Sequence, residues 1–368
     1  MVYVHVPFCK SFCTYCGFYS ELCRSASQVP DYVNALCREA VQRADEIGAT
    51  QAVNTLYIGG GTPSVLSLTA LSRIVDAVRA ALPDKRPFEE FTLEANPEDI
   101  AERGFLYVNG LSAIGVDRVS MGIQSFDDDI LRWMNRRHTA EGAEYAFGLL
   151  RKGGLRNISI DLIFGLPQLT DALWEETLDR ALALGPEHIS AYQLSIEPDS
   201  ALERQIQQGV FTEASEDQCR RQYDLLCRKL AAAGYHHYEV SNFAKPGFEA
   251  RHNAAYWQRV PYVGLGPGAH SLLASEDGVP RVRRWNPETL SESIPGEERL
   301  SDEDIRVETL MLGLRTDRGL PAERLRALVR PAVLEQLCAE GSLVAEGAFL
   351  RIPEDHFFVS DEIIRSLL

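Results

Sequence analysis

Residues 2–18 read VYVHVPFCKSFCTYCGF, a β-branched run that ends at Pro7 and leads straight into Cys9, Cys13 and Cys16. Valines alternating with aromatic residues suit a strand, and the proline marks its end. Three thiols at spacings of four and three residues have the softness that zinc or an iron–sulfur cluster selects. A structural zinc site closes tetrahedrally with a fourth Cys or His, and zinc ribbons show paired CxxC units. No second pair stands elsewhere in the sequence, and the nearby His5 lies inside the strand. A cluster on three thiolates would instead leave one iron open to a small-molecule ligand. Both readings stand on the residues alone.

Outward from this stretch, short apolar runs alternate with helical patterns. The further runs are NTLYIGGG (54–61), EFTLEANP (90–97), DRVSMGIQSF (117–126), ISIDLIFGLP (158–167) and HISAYQLSIEP (188–198). Between them, segments such as LTALSRIVDAVRAAL (68–82) and ALWEETLDRALALG (172–185) repeat apolar residues at helical spacing. Strand–helix alternation builds βαβ units on a parallel sheet. Six units fall short of the eight of a closed barrel, so the expected class is α/β, an open, partial six-stranded parallel β/α barrel. Ligands of parallel folds sit at the carboxyl ends of the strands. Those ends here read GGGTPS, EANP, QSF and GLP, all pointing into one mouth. GGGTPS could also be no more than a flexible loop with Ser64 capping the next helix.

After residue 200 the pattern predicts a helix near 214–233, an extended HHYEVSNFA (236–244) and an aromatic, glycine-rich RHNAAYWQRVPYVGLGPGAHS (251–271). A helix over 302–316, further helices and an extended pair near 343–352 form a smaller C-terminal, mainly helical, winged-helix-like domain. The expected units are 1–212 (barrel), 213–290 (flanking segment) and 291–368 (C-terminal domain), with SESIPGEER (291–299) as the boundary.

The 368 residues carry a net charge of −16, which argues against a broad nucleic-acid or anionic-membrane surface. No run of about 18 apolar residues appears, so no membrane span is expected. The N-terminus lacks the basic start of a secretory signal and reads as part of the mature fold. A cytoplasmic location follows, where thiols stay reduced. Cys23, Cys37, Cys219, Cys227 and Cys338 are scattered and expected to pack as small apolar side chains.

CxxxCxxC directly after a first strand, with Tyr15 before the last cysteine and GGGTPS after the second strand, resembles the radical S-adenosylmethionine (SAM) superfamily. The order of YVHVPFCKSFCTYCGF, LYIGGGTPS, LEANP, SMGIQSF, NRRH, IDLIFGLP and AYQLSIEP is similar to its HemN/HemW family, over essentially the whole chain. The resemblance implies that Cys9, Cys13 and Cys16 hold a [4Fe–4S] cluster. It implies further that Tyr3, Tyr15, Gly60, Gly61, Thr62, Glu94, Gln124, Arg136 and Asp161 bind SAM, with Glu94 and Asp161 accepting hydrogen bonds and Arg136 pairing with a carboxylate. An electron passed through the cluster would cleave the sulfonium to methionine and a 5′-deoxyadenosyl radical, chemistry carried by the cofactor.

The dehydrogenase members of that family resemble CxxxCxxCxC, whereas Phe18 stands at the fourth cysteine's position here. They also carry a segment before the first strand, which begins at Val2 in this chain. The HemW branch is the better match, with its HNxxYW signature at His252, Asn253, Tyr256 and Trp257. That likeness implies a heme-binding chaperone delivering heme to respiratory acceptor proteins, with His252 as a heme-contacting residue and His236, His237 and His270 as rival ligands. An electron donor and a cluster-dependent homodimer are further expectations. The alternative is a radical SAM enzyme acting on a porphyrinogen.

Overall fold

Alternation inside the six apolar runs decides which way each strand faces. The computed structural model describes every residue except 26, 85, 199 and 290–294. Strands β1 (Val2–Val6), β2 (Thr55–Gly60), β3 (Glu90–Ala95), β4 (Arg118–Gln124), β5 (Asn157–Phe164) and β6 (His188–Gln193) lie side by side in chain order, all parallel. One face of each is apolar: Val4, Ile58, Leu93, Met121 and Ile160 are fully buried in the core that also holds Leu71 and Ile74 of the helix Leu68–Ala81. The other face is polar. Register places Tyr3, Tyr57, Thr92, Arg118 and Asn157 in one row, and Glu94, Ser120, Ser159 and His188 in the next. The curved sheet therefore encloses a polar bore behind an apolar jacket.

Three short strands extend the six. β7 (His236–Glu239) and β8 (Asn242–Ala244) form a hairpin that adds antiparallel to β6, and β9 (Val263–Leu265) adds parallel to β1. Among the described residues the sheet thus has nine strands, with β9 and β7 at its edges. Segments of three or four residues are too short for period-two patterning to mark, which is why only HHYEVSNFA read as extended.

The helix after the glycine loop starts later than Ser64. Pro63 opens a 3-10 turn, Pro63–Val65, in which the Ser64 hydroxyl donates to Asp99 at 2.8 Å. Ser67 caps the helix instead, accepting from the Ala70 N–H at 3.2 Å. Of the five scattered cysteines only Cys219 is buried; Cys37 and Cys227 are half-buried, and Cys23 and Cys338 are exposed.

The expected boundary at 291 lies outside the described residues. The strand Gly296–Arg299 beyond it pairs with Pro280–Trp285 before it, in a three-stranded sheet with His270–Ala274. The C-terminal part comprises the helices Asp302–Gly313, Ala322–Leu328, Pro331–Ala339 and Ser360–Leu367 around the small sheet Leu320–Pro321, Phe349–Arg351 and Val344–Glu346. That is a helical unit with a β wing. Among the described residues no helix is long and apolar enough to cross a membrane.

The apolar jacket carries the stability. Leu93→Ala, at a fully buried position, is expected to cost about 2–5 kcal/mol of unfolding free energy. Leu106→Ala, at an 81% exposed one, should stay within about 0.5 kcal/mol. Urea denaturation checks both.

Candidate functional site

The cysteine loop folds back on itself because its two ends pair. Phe8 and Cys9 lie against Glu21 and Leu22, and the Cys23 N–H donates to the Cys9 carbonyl at 3.3 Å. Its tip is fastened to the segment after β4. Thr14 donates through its backbone N–H to the Met134 carbonyl (3.1 Å) and through its hydroxyl to the Trp133 carbonyl (2.9 Å). The Asn135 amide donates to the Phe12 carbonyl at 2.6 Å. All three contacts come from the stretch that ends in NRRH.

A chain of side chains then links two of the three thiols. Cys9 Sγ lies 3.4 Å from Thr62 Oγ1, and Thr62 Oγ1 accepts from Asn96 Nδ2 at 3.2 Å. Asn96 Oδ1 accepts from Arg136 Nη2 at 2.7 Å, and Arg136 Nη1 reaches Cys13 Sγ at 3.4 Å. Asn96 is held in turn by its own N–H, which donates to Ser64 Oγ at 3.1 Å. Tyr15 packs against the core, with its phenol near Cys13 and Arg136. Burial raises the Cys9 thiol and pushes Cys16 up to about 11, with the neighbouring thiols adding to the rise. Both are thiols until a metal displaces their protons.

Glycines bring β2 against this loop. A Cβ on Gly61 would sit 2.9 Å from the Pro7 and Phe8 carbonyls and 3.0 Å from Cys9 Sγ. Gly60, at φ +110°, would drive one into the His5 ring. The missing side chains thus first serve the close packing of the chain on itself.

Carboxylates line the bore below. Glu94 accepts from the Tyr57 hydroxyl at 2.7 Å and from the Gly60 N–H at 3.1 Å, and burial pushes its carboxyl up to about 7. Asp161 accepts from the Ser120 hydroxyl at 3.0 Å and is likewise raised by burial. Tyr3 contacts His5 Nδ1 at 3.0 Å and tilts against Tyr57. Gln124 takes φ 69° at the irregularity between β4 and β5, a left-handed conformation unusual for a side-chain-bearing residue.

Of the residues expected from sequence, the three cysteines, Tyr15, Gly60, Gly61, Thr62, Gln124 and Arg136 therefore stand at the carboxyl ends of the strands and in the loops after them, Glu94 and Asp161 lie in the bore, and Tyr3 stands deeper, in the row of Tyr57, Thr92 and Arg118. The HNxxYW residues do not join them. The helix Arg251–Trp257 sits at the opposite end, where Glu90 accepts from the Arg251 and His252 N–H groups at 2.8 and 3.0 Å. His252 is 1% exposed; its Nδ1 meets Thr55 Oγ1 at 2.8 Å and its Nε2 meets the Tyr256 hydroxyl at 2.9 Å. Burial lowers its pKa to about 3, so the ring is neutral, but with both ring nitrogens taken His252 is a floor post and not an open iron ligand. Asn253 and Trp257 stay half-buried.

Sequence reasoning passed over Asn96, Tyr57, Ser120 and Glu90. For Glu90 and Ser120 the signal was present in the polar residues at alternate positions of EFTLEANP and DRVSMGIQSF, which mark the bore face.

The donor set fits a cluster with an open iron. Among the described residues no three His, Cys, Asp or Glu side chains converge on a point where one metal ion would sit. A cubane takes one thiolate per iron, so its cysteines need not converge. Arg136 Nε is buried with no hydrogen-bond partner among the described residues, and an anionic group at the site would satisfy it.

Asn96→Ala cuts the only hydrogen-bond path described between Thr62 and Arg136. Iron affinity after reconstitution should fall about 10–100-fold, read by iron content and electron paramagnetic resonance. Glu94, raised above its unfolded value, favours the folded state when protonated, so stability falls as pH rises from about 4.5 to about 7. Glu239, also pushed up to about 7 by burial, adds the same slope. Glu94→Gln should flatten that decline in part, measured as melting temperature against pH on cluster-free protein.

A model of the Radical SAM superfamily matches residues 3–181. The chain is 34% identical over 350 residues to the heme chaperone HemW of Bacillus subtilis, covering 92% of this chain and 91% of that one. Over 382 aligned positions it is 35% identical to the heme chaperone HemW of Mycobacterium tuberculosis, covering 100% and 94%. Coproporphyrinogen III oxidase (HemN) from Escherichia coli, a radical SAM enzyme, superposes with a TM-score of 0.77 at 21% identity, over 100% of this chain and 89% of that one. That last likeness is one of fold. Identity at the level of the two chaperones along so much of both chains makes this protein a member of the HemW family within the radical SAM superfamily.

Proposed function

We propose that the protein is a heme chaperone: it binds heme and passes it to heme-dependent proteins such as those of respiration, and it carries a [4Fe–4S] cluster and SAM. The observation that carries this reading is the identity to proteins named heme chaperones over nearly the full chain. Phe18, 74% exposed where the porphyrinogen-oxidising relatives resemble a fourth cysteine, supports it.

In this reading Cys9, Cys13 and Cys16 hold three irons, and Tyr3, Tyr15, Gly60, Gly61, Thr62, Glu94, Gln124, Arg136 and Asp161 surround SAM. When bound, the cluster would supply an electron to the sulfonium. The chain's own part is placement. Arg136 offers a buried positive charge to a carboxylate, and Glu94, with a pKa near neutrality, becomes an anion when an ammonium group approaches. The ring nitrogens of His252 are committed, so the HNxxYW helix would offer a porphyrin the half-buried Asn253, Tyr256 and Trp257, with Asn253 and Trp257 four residues apart on one helical face. Barrel and flanking segment divide at 212/213, and the loaded protein pairs into a dimer across the open edge of the cluster. An external reductant feeds the cluster.

Purified, cluster-loaded protein should bind heme stoichiometrically, yield it to an apo-cytochrome, sediment as a dimer only when loaded, and leave coproporphyrinogen unchanged in the presence of reductant and SAM. Decarboxylation at roughly 1 per second or faster would instead make it a radical enzyme on a porphyrinogen.

A further inference from the structure

Heme iron needs an imidazole whose nitrogen is neutral, exposed and uncommitted. Of the eight histidines, His5, His188 and His252 have both ring nitrogens engaged. His138 and His237 are buried, His138 against the Ile123 carbonyl and His237 stacked on Phe243 at 4.1 Å. His236 is exposed but lies between Asp317 at 2.8 Å and Glu249 at 3.5 Å. His356 is half-buried in the C-terminal turn Glu354–Val359; among the described residues neither ring nitrogen has a hydrogen-bond partner, but Nδ1 is enclosed and no aromatic ring stacks beside it to seat a macrocycle. His270 differs: it is exposed, and among the described residues its ring nitrogens have no hydrogen-bond partner.

Its mounting is rigid. Ala269 and Ser271 on either side are each 1% exposed. Ser271 Oγ accepts from the Gly264 N–H and from Arg43 Nη2, both at 3.0 Å. Gly264 lets the backbone come so close that a Cβ there would meet the His270 carbonyl. Strand alternation then turns the His270 ring outward, beside the 37% exposed indole of Trp285 at 6.1 Å and 25°. A flat imidazole–indole surface of this kind suits a macrocycle edge. The preceding turn holds the site to the cysteine loop: Gly268, at φ +71°, packs on Tyr19, whose carbonyl contacts His5 Nε2 at 2.9 Å. Burial and the Arg283 charge lower the His270 pKa, which keeps the ring in its ligating, neutral form. Arg283 is already paired with Glu298 and Glu308, so propionates would face water.

We infer that His270 is the axial ligand through which the protein holds heme iron, on a rim shared by Trp285 and the cysteine-loop residue Tyr19. The inference rests on the chaperone reading and adds where the cargo sits: beside the mouth of the barrel and not under its floor.

Cluster-loaded wild type, His270→Ala and His252→Ala are titrated with ferric heme, coordination being read by electron paramagnetic resonance and magnetic circular dichroism. SAM affinity is measured in parallel. Wild type should give a histidine-ligated signal that His270→Ala loses, with binding weakened roughly tenfold or more. Free imidazole should restore that signal, which a merely structural role would not allow, and His252→Ala should retain it. If wild type binds heme and His270→Ala keeps its spectrum and affinity, this inference is overturned while the chaperone reading survives. Loss of SAM binding with unchanged heme binding also overturns it, assigning the ring to the other ligand. If wild type takes up no heme, the chaperone reading falls and the inference with it.

Discussion

Parallel strands bring all their carboxyl ends to one edge of a sheet, and in this protein that edge receives the cysteine loop from β1, the glycine loop from β2, Asn96 after β3 and Arg136 after β4. Four segments far apart in sequence then meet over one hydrogen-bonded path, Cys9–Thr62–Asn96–Arg136–Cys13. The path puts a guanidinium beside a cysteine sulfur and leaves its Nε without a partner among the described residues. Asn96 is the hinge pin of this arrangement because a side-chain amide donates and accepts at once. An aspartate could not donate to Thr62, and a leucine could do neither.

The bore is electrostatically expensive, and the expense is distributed. Burial pushes Glu94 and Asp161 toward their neutral forms, while Arg118, 1% exposed and with Nε unpartnered among the described residues, pulls them back toward ionisation. A buried cation is costly, and here it is set in the polar bore, where it acts on Glu94 and Asp161. The floor answers the same constraint. Glu90 is satisfied by two backbone N–H groups at a helix start, where the helix dipole favours an anion. His252 is kept neutral between two hydroxyls. The HNxxYW motif thereby closes the end of the bore opposite the cysteines.

Most of the barrel was legible from pattern. The six parallel strands appear where the β-branched runs predicted, and the helices at 68–82 and 172–185 are found at Leu68–Ala81 and Asp171–Leu184. β7, β8 and β9 were not legible as parts of the sheet, since their pairing depends on neighbours and not on their own few residues. The mouth residues could be named because each ends a strand. Asn96 lay within a quoted motif yet carried no mark of its own, since its role exists only once Thr62 and Arg136 arrive on either side.

What the sequence determined by itself is the order of strands and loops, and with it the convergence of three thiols, a glycine loop and two carboxylates at one mouth. Periodicity and turn chemistry are local, so they survive without the fold. Only the tertiary structure decided which histidine is open. His252 stands in the more conspicuous motif, but Thr55 and Tyr256 occupy its two nitrogens; His270, in a plain strand, has none occupied among the described residues. Availability is a property of what surrounds a side chain, and no residue's spacing in the chain records it.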